Sequence, residues 1–160
     1  MSYKEIKASI SRKFPGSVIG ENLEANPFTL LVDSKFIREI CGFLHAHEST
    51  YFDSLSCLTG IDNGEEAGTM EVIYHLYSIP HNIHLGLVVE LDRDHPKVDS
   101  VSEVWAGANW HEREAYDLLG IRFENHPDLR RILLPSDWEG HPLKKDYQEQ
   151  ENYHGIKVKY

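Results

Sequence analysis

The sequence predicts an α+β fold. Helices pack on a mainly antiparallel sheet, and a short helical segment and an extended irregular C-terminal tail follow. Three observations carry this reading. Met70, Val72, Tyr74 and Leu76 alternate with Glu71, Ile73, His75 and Tyr77. Ile83, Leu85, Leu87, Val89 and Leu91 alternate with His84, Gly86, Val88 and Glu90, so both runs have the period of two of strands. Two N-terminal segments instead space their apolar residues as helices do. Past Gly120 no regular period survives, and Pro127, Pro135 and Pro142 punctuate the chain.

Taken in order, Ser2 and Glu5 form a capping box that opens a helix bearing Tyr3, Ile6 and Ile10. The helix stops at Phe14, Pro15 and Gly16. Val18–Ile19 and Phe28–Val32 read as short strands. Asp33 or Ser34 caps a second helix, whose apolar stripe is Phe36, Ile37, Ile40, Phe43 and Leu44. Tyr51 to Thr59 reads as a strand ending at Gly60, followed by an acidic loop from Asp62 to Gly68. The loop Ile79–Asn82 is too short for a crossover, so the two alternating strands form an antiparallel hairpin. A short helix is expected over Val101 to Trp105. Asn109 is expected to cap another, with Glu112 completing its capping box and Gly120 ending it. The expected organisation is a body over residues 1–98 and a helical motif with a partner-binding tail over 99–160, in one structural unit.

Length and composition narrow the function. At 160 residues, with 41% hydrophobic and 26% charged side chains, the chain suits one globular domain with a sizeable core. No apolar run approaches the roughly 18–20 residues that span a bilayer. The N-terminus lacks the apolar stretch of a signal peptide, so a cytoplasmic location is expected. Cys41 and Cys57 show no CxxC pattern and are expected to be core thiols, too few for a cluster or a structural zinc. The net charge is -10. Residues 121–160 balance seven basic against seven acidic groups, so the first 120 carry all of it. Such an acidic body is a poor nucleic-acid binder, which needs clustered Lys and Arg.

The region from Trp110 to Tyr147 is unusual. Glu112, Arg113, Glu114, Asp117, Arg122, Glu124, Asp128 and Arg130 place eight charges within 19 residues, among large apolar side chains. On the helix Trp110–Leu119, Ala115, Leu118 and Leu119 form an apolar stripe that includes His111, with Tyr116 at its edge. Glu112 and Glu114 flank it on opposite sides, and Arg113 and Asp117 lie across from it, placed for an i,i+4 ion pair. Two residues apart, the two glutamates point about 200° from each other and cannot share a substrate as acid and base. The run His111 to Ala115 lacks the second histidine of a zinc-binding HExxH helix. His45/His47 and His81/His84 are pairs without an obvious third ligand. Phosphate loops, dinucleotide fingerprints and nucleophile elbows are missing from the sequence. Arg130-Arg131 and Lys144-Lys145 could bind phosphate or anionic lipid, but the equal number of tail carboxylates favours internal pairing.

Read together, three stretches resemble one family motif. They are Glu112-Arg113-Glu114-x-x-Asp117-Leu118-Leu119, then His126-Pro127-Asp128-Leu129-Arg130-Arg131-Ile132-Leu133, then Trp138-Glu139-Gly140-His141-Pro142-Leu143-Lys144-Lys145-Asp146-Tyr147. The motif is similar to that of the C-type subunit of respiratory NADH:quinone oxidoreductase (complex I), the relative of the mitochondrial 30-kDa subunit. The resemblance implies a non-catalytic, peripheral subunit on the cytoplasmic side of the bacterial inner membrane. It implies packing against the D-type, hydrogenase-like subunit and other peripheral-arm subunits near the quinone site, and contact with quinone only through the complex. No cofactor is expected in this chain, and flavin and iron–sulfur clusters are expected in partner subunits. An end at Tyr160 is what a form not fused to the hydrogenase-like subunit would show. Glu112, Arg113, Glu114, Asp117, His126, Pro127, Arg130, Arg131, His141, Pro142 and Lys144 would fix the motif or face a partner. Two rival readings are an equivalent subunit of a membrane-bound [NiFe]-hydrogenase-type complex and a stand-alone metal-dependent enzyme using His111, Glu112 and His126. A third is a free-standing binding module.

Overall fold

The computed structural model describes residues 2–158. Helix α1 (Tyr3–Lys13) opens as its sequence dictates, with the Glu5 carboxylate accepting from the Ser2 backbone N–H at 2.6 Å and from its hydroxyl at 3.1 Å. Strands β1 (Val18–Asn22) and β2 (Thr29–Val32) follow. A 3₁₀ turn capped by Asp33, whose side chain accepts from the Lys35 N–H, leads into α2 (Ile37–Ala46). Next come β3 (Ser54–Gly64), β4 (Thr69–Ser78), β5 (Ile83–Asp92) and β6 (Lys97–Asp99). Helix α3 (Ala108–Leu119) and strand β7 (Arg122–Glu124) precede a long tail, which ends in the small hairpin β8 (Asn152–Tyr153) and β9 (Ile156–Lys157).

Five strands form one sheet in the order β1-β2-β5-β4-β3, antiparallel except for β2 against β5. That parallel pair leaves no local sequence signal, because α2, β3 and β4 lie between its partners in the chain. The hairpin β4–β5 pairs as expected, with Tyr74 opposite Leu87 and Ile73 opposite Val88. Helices cover one face only. Met70, Val72, Tyr74 and Leu76 are buried there with Ile6 and Ile10 of α1, Ile37, Ile40, Cys41 and Leu44 of α2, and Ala115 and Leu119 of α3. Each Leu, Ile, Val or Met side chain among them contributes about 1.5–3 kcal/mol by leaving water. Their strand neighbours Glu71, Ile73, His75 and Tyr77, on the opposite face, stay half-exposed.

Several expectations change. Strand β3 starts at Ser54 and runs through Gly60 to Gly64, because β4 supplies hydrogen-bonding partners along its whole length. Val101 to Trp105 is a single turn closed by the Val104 and Trp105 N–H groups on the Val101 carbonyl. Helix α3 begins at Ala108, so Asn109 lies within its first turn and does not cap it, and the capping box with Glu112 is absent. The tail is less irregular than expected, since β7 pairs in parallel with β6 and β8 pairs with β9. Cys41 is buried as expected, but Cys57 is only half-buried, on the uncovered face of β3. Among the described residues no helix is long and apolar enough to cross a membrane.

Candidate functional site

Helix α3 lies against β3 at Gly60, where no side chain fits. A Cβ there would stand 2.6 Å from Leu119 Cδ1 and 2.9 Å from Ile121 Cδ1. From this position α3 turns three charged residues inward: Glu112, Arg113 and Asp117 are all buried. Each satisfies backbone groups of another segment, which is how a chain keeps charge inside a core at acceptable cost.

Glu112 holds the turn before α3. Its Oε1 accepts the Val101 N–H at 2.7 Å and its Oε2 the Ser100 hydroxyl at 2.6 Å. Burial pushes its pKa up to about 7, although the Ser100 and Val101 donors oppose the rise. The same burial, with Glu112 nearby, raises the Cys41 thiol. His126 packs beside this carboxylate, its Nε2 3.8 Å from Oε2 and its side chain fully buried. Nδ1 of His126 accepts the Asp128 N–H at 3.0 Å, so in the neutral ring the proton sits on Nε2, directed at the Asn109 carbonyl 3.3 Å away.

Asp117 organises the tail. One oxygen accepts three successive backbone N–H groups, from Ile132, Leu133 and Leu134, at 3.0, 2.7 and 2.9 Å. The other accepts from Arg131 Nη1 at 2.7 Å. Burial works to raise this carboxyl, but the Leu134 amide, the Arg131 guanidinium and the Leu133 and Ile132 amides together hold it below the usual range. Arg131 uses both terminal nitrogens: Nη1 also reaches the Asp117 carbonyl, and Nη2 donates to the carbonyls of Trp138 and Gly140. Arg113 donates to the Arg130 and Arg131 carbonyls at 3.2 and 3.1 Å, with its guanidinium 5.3 Å from the Trp110 ring centre. The expected surface pair of Arg113 with Asp117 therefore does not form, because each turns to a different part of the tail.

Gly120 ends α3 with φ +78°, a left-handed conformation suited to glycine, and a Cβ there would lie 2.8 Å from the His141 ring. His141 Nδ1 in turn donates to the Asp117 carbonyl at 2.9 Å. Further along, the Lys145 N–H donates to Asp62 Oδ2 at 2.8 Å. Asp62 forms a two-point pair with Arg93, at 2.7 and 2.9 Å, and Arg93 also reaches Asp146 at 2.7 Å. The Arg93 guanidinium lowers Asp62 well below the usual carboxylate range, against the effect of burial. Sequence reasoning missed this second anchor. Its signal was parity: Asp62 keeps the two-residue phase of Leu58 and Gly60, which directs a charge into the covered face and demands a partner.

Of the expected motif residues, Glu112, Arg113, Asp117, His126, Arg131 and His141 converge on this clasp. Glu114, Pro127 and Arg130 are exposed, and Arg130 pairs only with exposed Asp128 at 2.8 Å. Pro142 and Lys144 are half-buried. His111 and Glu114 line a groove of about 260 Å³ between α3 and β3, on the other side of the helix from Glu112 and His126. Trp110, Leu133 and Leu143 are large apolar side chains left 60%, 62% and 58% exposed around the clasp.

Comparison with known proteins matches the chain to a family. Residues 30–153 match the family described as respiratory-chain NADH dehydrogenase, 30 Kd subunit. The chain is 43% identical to the C-type subunit of the NADH-quinone oxidoreductase of Chloroherpeton thalassium, covering all of this chain and 65% of that protein. It is 42% identical to the same subunit of Chlorobium phaeobacteroides, covering 94% of this chain and 92% of the relative. Two solved structures share the fold at lower identity. A trypsin-resistant fragment of Nqo5 superposes with a TM-score of 0.61 at 24% identity, over 81% of this chain and all of the fragment. A chain of an archaeal membrane-bound sulfane sulfur reductase superposes with a TM-score of 0.72 at 22% identity, over 91% of this chain and 85% of that one. With the clasp residues inside the matched span, the chain belongs to the 30-kDa subunit family of respiratory-chain NADH dehydrogenase.

Proposed function

We propose that the chain is a structural subunit of an NADH:quinone oxidoreductase, peripheral on the cytoplasmic side of the membrane, docking on the D-type, hydrogenase-like subunit near the quinone site. In this reading residues 99–160 form the partner-binding part, and flavin, clusters and quinone are held by other subunits. The observation that carries the reading is the clasp. Five buried ionic groups (Glu112, Arg113, Asp117, Asp62 and Arg93) are spent on backbone amides, carbonyls and one another, not aimed into a cavity. They fix a tail that leaves Trp110, Leu133, Leu143, Glu114 and Arg130 exposed around it. Aromatic, aliphatic and arginine side chains on a rigid frame are what a protein–protein contact uses.

The test is to tag the chain in its host, solubilise membranes gently and identify the copurifying proteins. A large assembly with flavin and iron–sulfur absorbance and NADH-dependent quinone reduction is the expected result. Copurified nickel-bearing hydrogenase would place the chain in an equivalent complex of that class. Recovery alone from the soluble fraction would overturn the docking.

A further inference from the structure

The sheet face opposite the helices points to a second interface. Its side chains follow from the strand register. Leu31, Val88, Ile73 and Thr59 form one row across four strands, and Glu90, Glu71 and Ile61 form the next. His84 stacks on Tyr77 at 4.2 Å two rows away, with His75 and Cys57 between. Leu31, Ile73 and Val88 are half-buried by their neighbours in the sheet, while Thr59, Ile61 and Glu90 are exposed. Helices α1, α2 and α3 all bury their side chains against the other face.

Glu71 and Glu90 stand directly opposite each other on adjacent antiparallel strands. Like charges so placed repel and weaken the sheet. Asn63 Nδ2 donates to Glu71 at 3.2 Å, but among the described residues no Lys or Arg comes within ion-pair distance of either glutamate. Nor does any basic residue occupy these rows. A surface that bears the cost of an uncompensated acidic pair beside an apolar row is complementary to a basic group flanked by apolar ones.

We propose that this open face binds another protein of the same assembly, one that sets an arginine or lysine between Glu71 and Glu90 and apolar side chains on Leu31, Val88 and Ile73. The interface lies on the opposite side of the sheet from α3 and meets the clasp region only at the β3 edge, where Cys57 and Thr59 border the groove under His111 and Glu114. It rests on the proposed function only in drawing its partner from the assembly.

Two measurements test it. In the full chain a photocrosslinking amino acid replaces Leu31, on β2 and three strands away from the groove that α3 forms with β3, and the assembly is irradiated and its crosslinks mapped by mass spectrometry. The expected crosslink joins position 31 to a segment of one other subunit that bears Lys or Arg. Alongside, Glu71→Gln and Glu90→Gln relieve the repulsion. Each raises the thermal midpoint of the isolated chain while weakening its association with the assembly about tenfold, and the wild-type association weakens as salt rises. A crosslink from position 31 to a second copy of this chain, no crosslink in an intact assembly, or unchanged association of both glutamine variants would overturn the proposal. Should the chain never enter the assembly, the proposed structural role fails instead, and the two failures are distinct.

Discussion

The sheet body and the α3–tail clasp are stabilised by different forces. In the body, aliphatic side chains such as Leu30, Val72, Leu85 and Leu87 are fully buried, and stability is spread over many similar contacts. In the clasp a few ions hold long stretches of backbone: Asp117 alone fixes three successive amides, and Arg131 three carbonyls. Loss of one apolar contact lowers the stability of the whole sheet, whereas loss of one ion in the clasp releases the tail locally.

The largest expected effect separates the two. Asp117→Ala leaves three amides and a guanidinium without their acceptor and costs the tail about 3–5 kcal/mol. Limited proteolysis then cuts beyond residue 128 while amide exchange in β4 and β5 stays slow. Leu87→Ala costs about 2–5 kcal/mol but lowers protection across the whole sheet. A tail still protected in Asp117→Ala would break the distinction.

The two regions were also unequally legible. Alternation exposed β4 and β5, and capping residues exposed α1, because both signals are local. The clasp's residues were found by motif, yet their pairing was not. Arg113 and Asp117 have ideal spacing for a surface ion pair, but both lie buried where unpaired tail backbone competes for them. Glu112 resembled a capping-box residue because capping and cross-segment bonding demand the same acceptor. The β2–β5 pair and the Asp62–Arg93–Asp146 anchor join residues far apart in the chain, and no local pattern records such contacts.

Acidity sharpens the contrast within the clasp itself. Glu112 is raised from 4.5 to about 7, so between those values the folded chain holds a proton that the unfolded chain has released. Its contribution is fully present below the unfolded value and is lost as pH rises towards 7, up to about 3 kcal/mol. Asp117 has the opposite sign: its pKa is lowered, so its contribution is present above the ordinary carboxylate range and is lost on acidification. Denaturation measured from about pH 5 to pH 7 should show stability falling with pH, and Glu112→Gln should flatten that slope. An unchanged slope in the variant would remove Glu112 from the account.

A smaller effect probes the seam between the regions. Gly60→Ala drives a methyl group into Leu119 and Ile121 and costs about 1–3 kcal/mol. Unfolding by denaturant should detect the loss, whereas Gly42→Ala, at an open helical position with nothing near its Cβ, should not be destabilised.

The smallest effect on the isolated chain belongs to the exposed residues. Arg130 and its partner Asp128 are 71% and 57% exposed, so Arg130→Ala costs the free protein at most about 0.5 kcal/mol. That makes it the most direct probe of the central claim, a structural role exercised through the surface that the clasp presents. In cells carrying Arg130→Ala or Glu114→Ala, the amount of intact assembly is measured by native electrophoresis and its NADH:quinone turnover per assembled complex is determined. Reduced assembly with unchanged turnover in the complexes that form is the expected result. Normal assembly with lost turnover would contradict it.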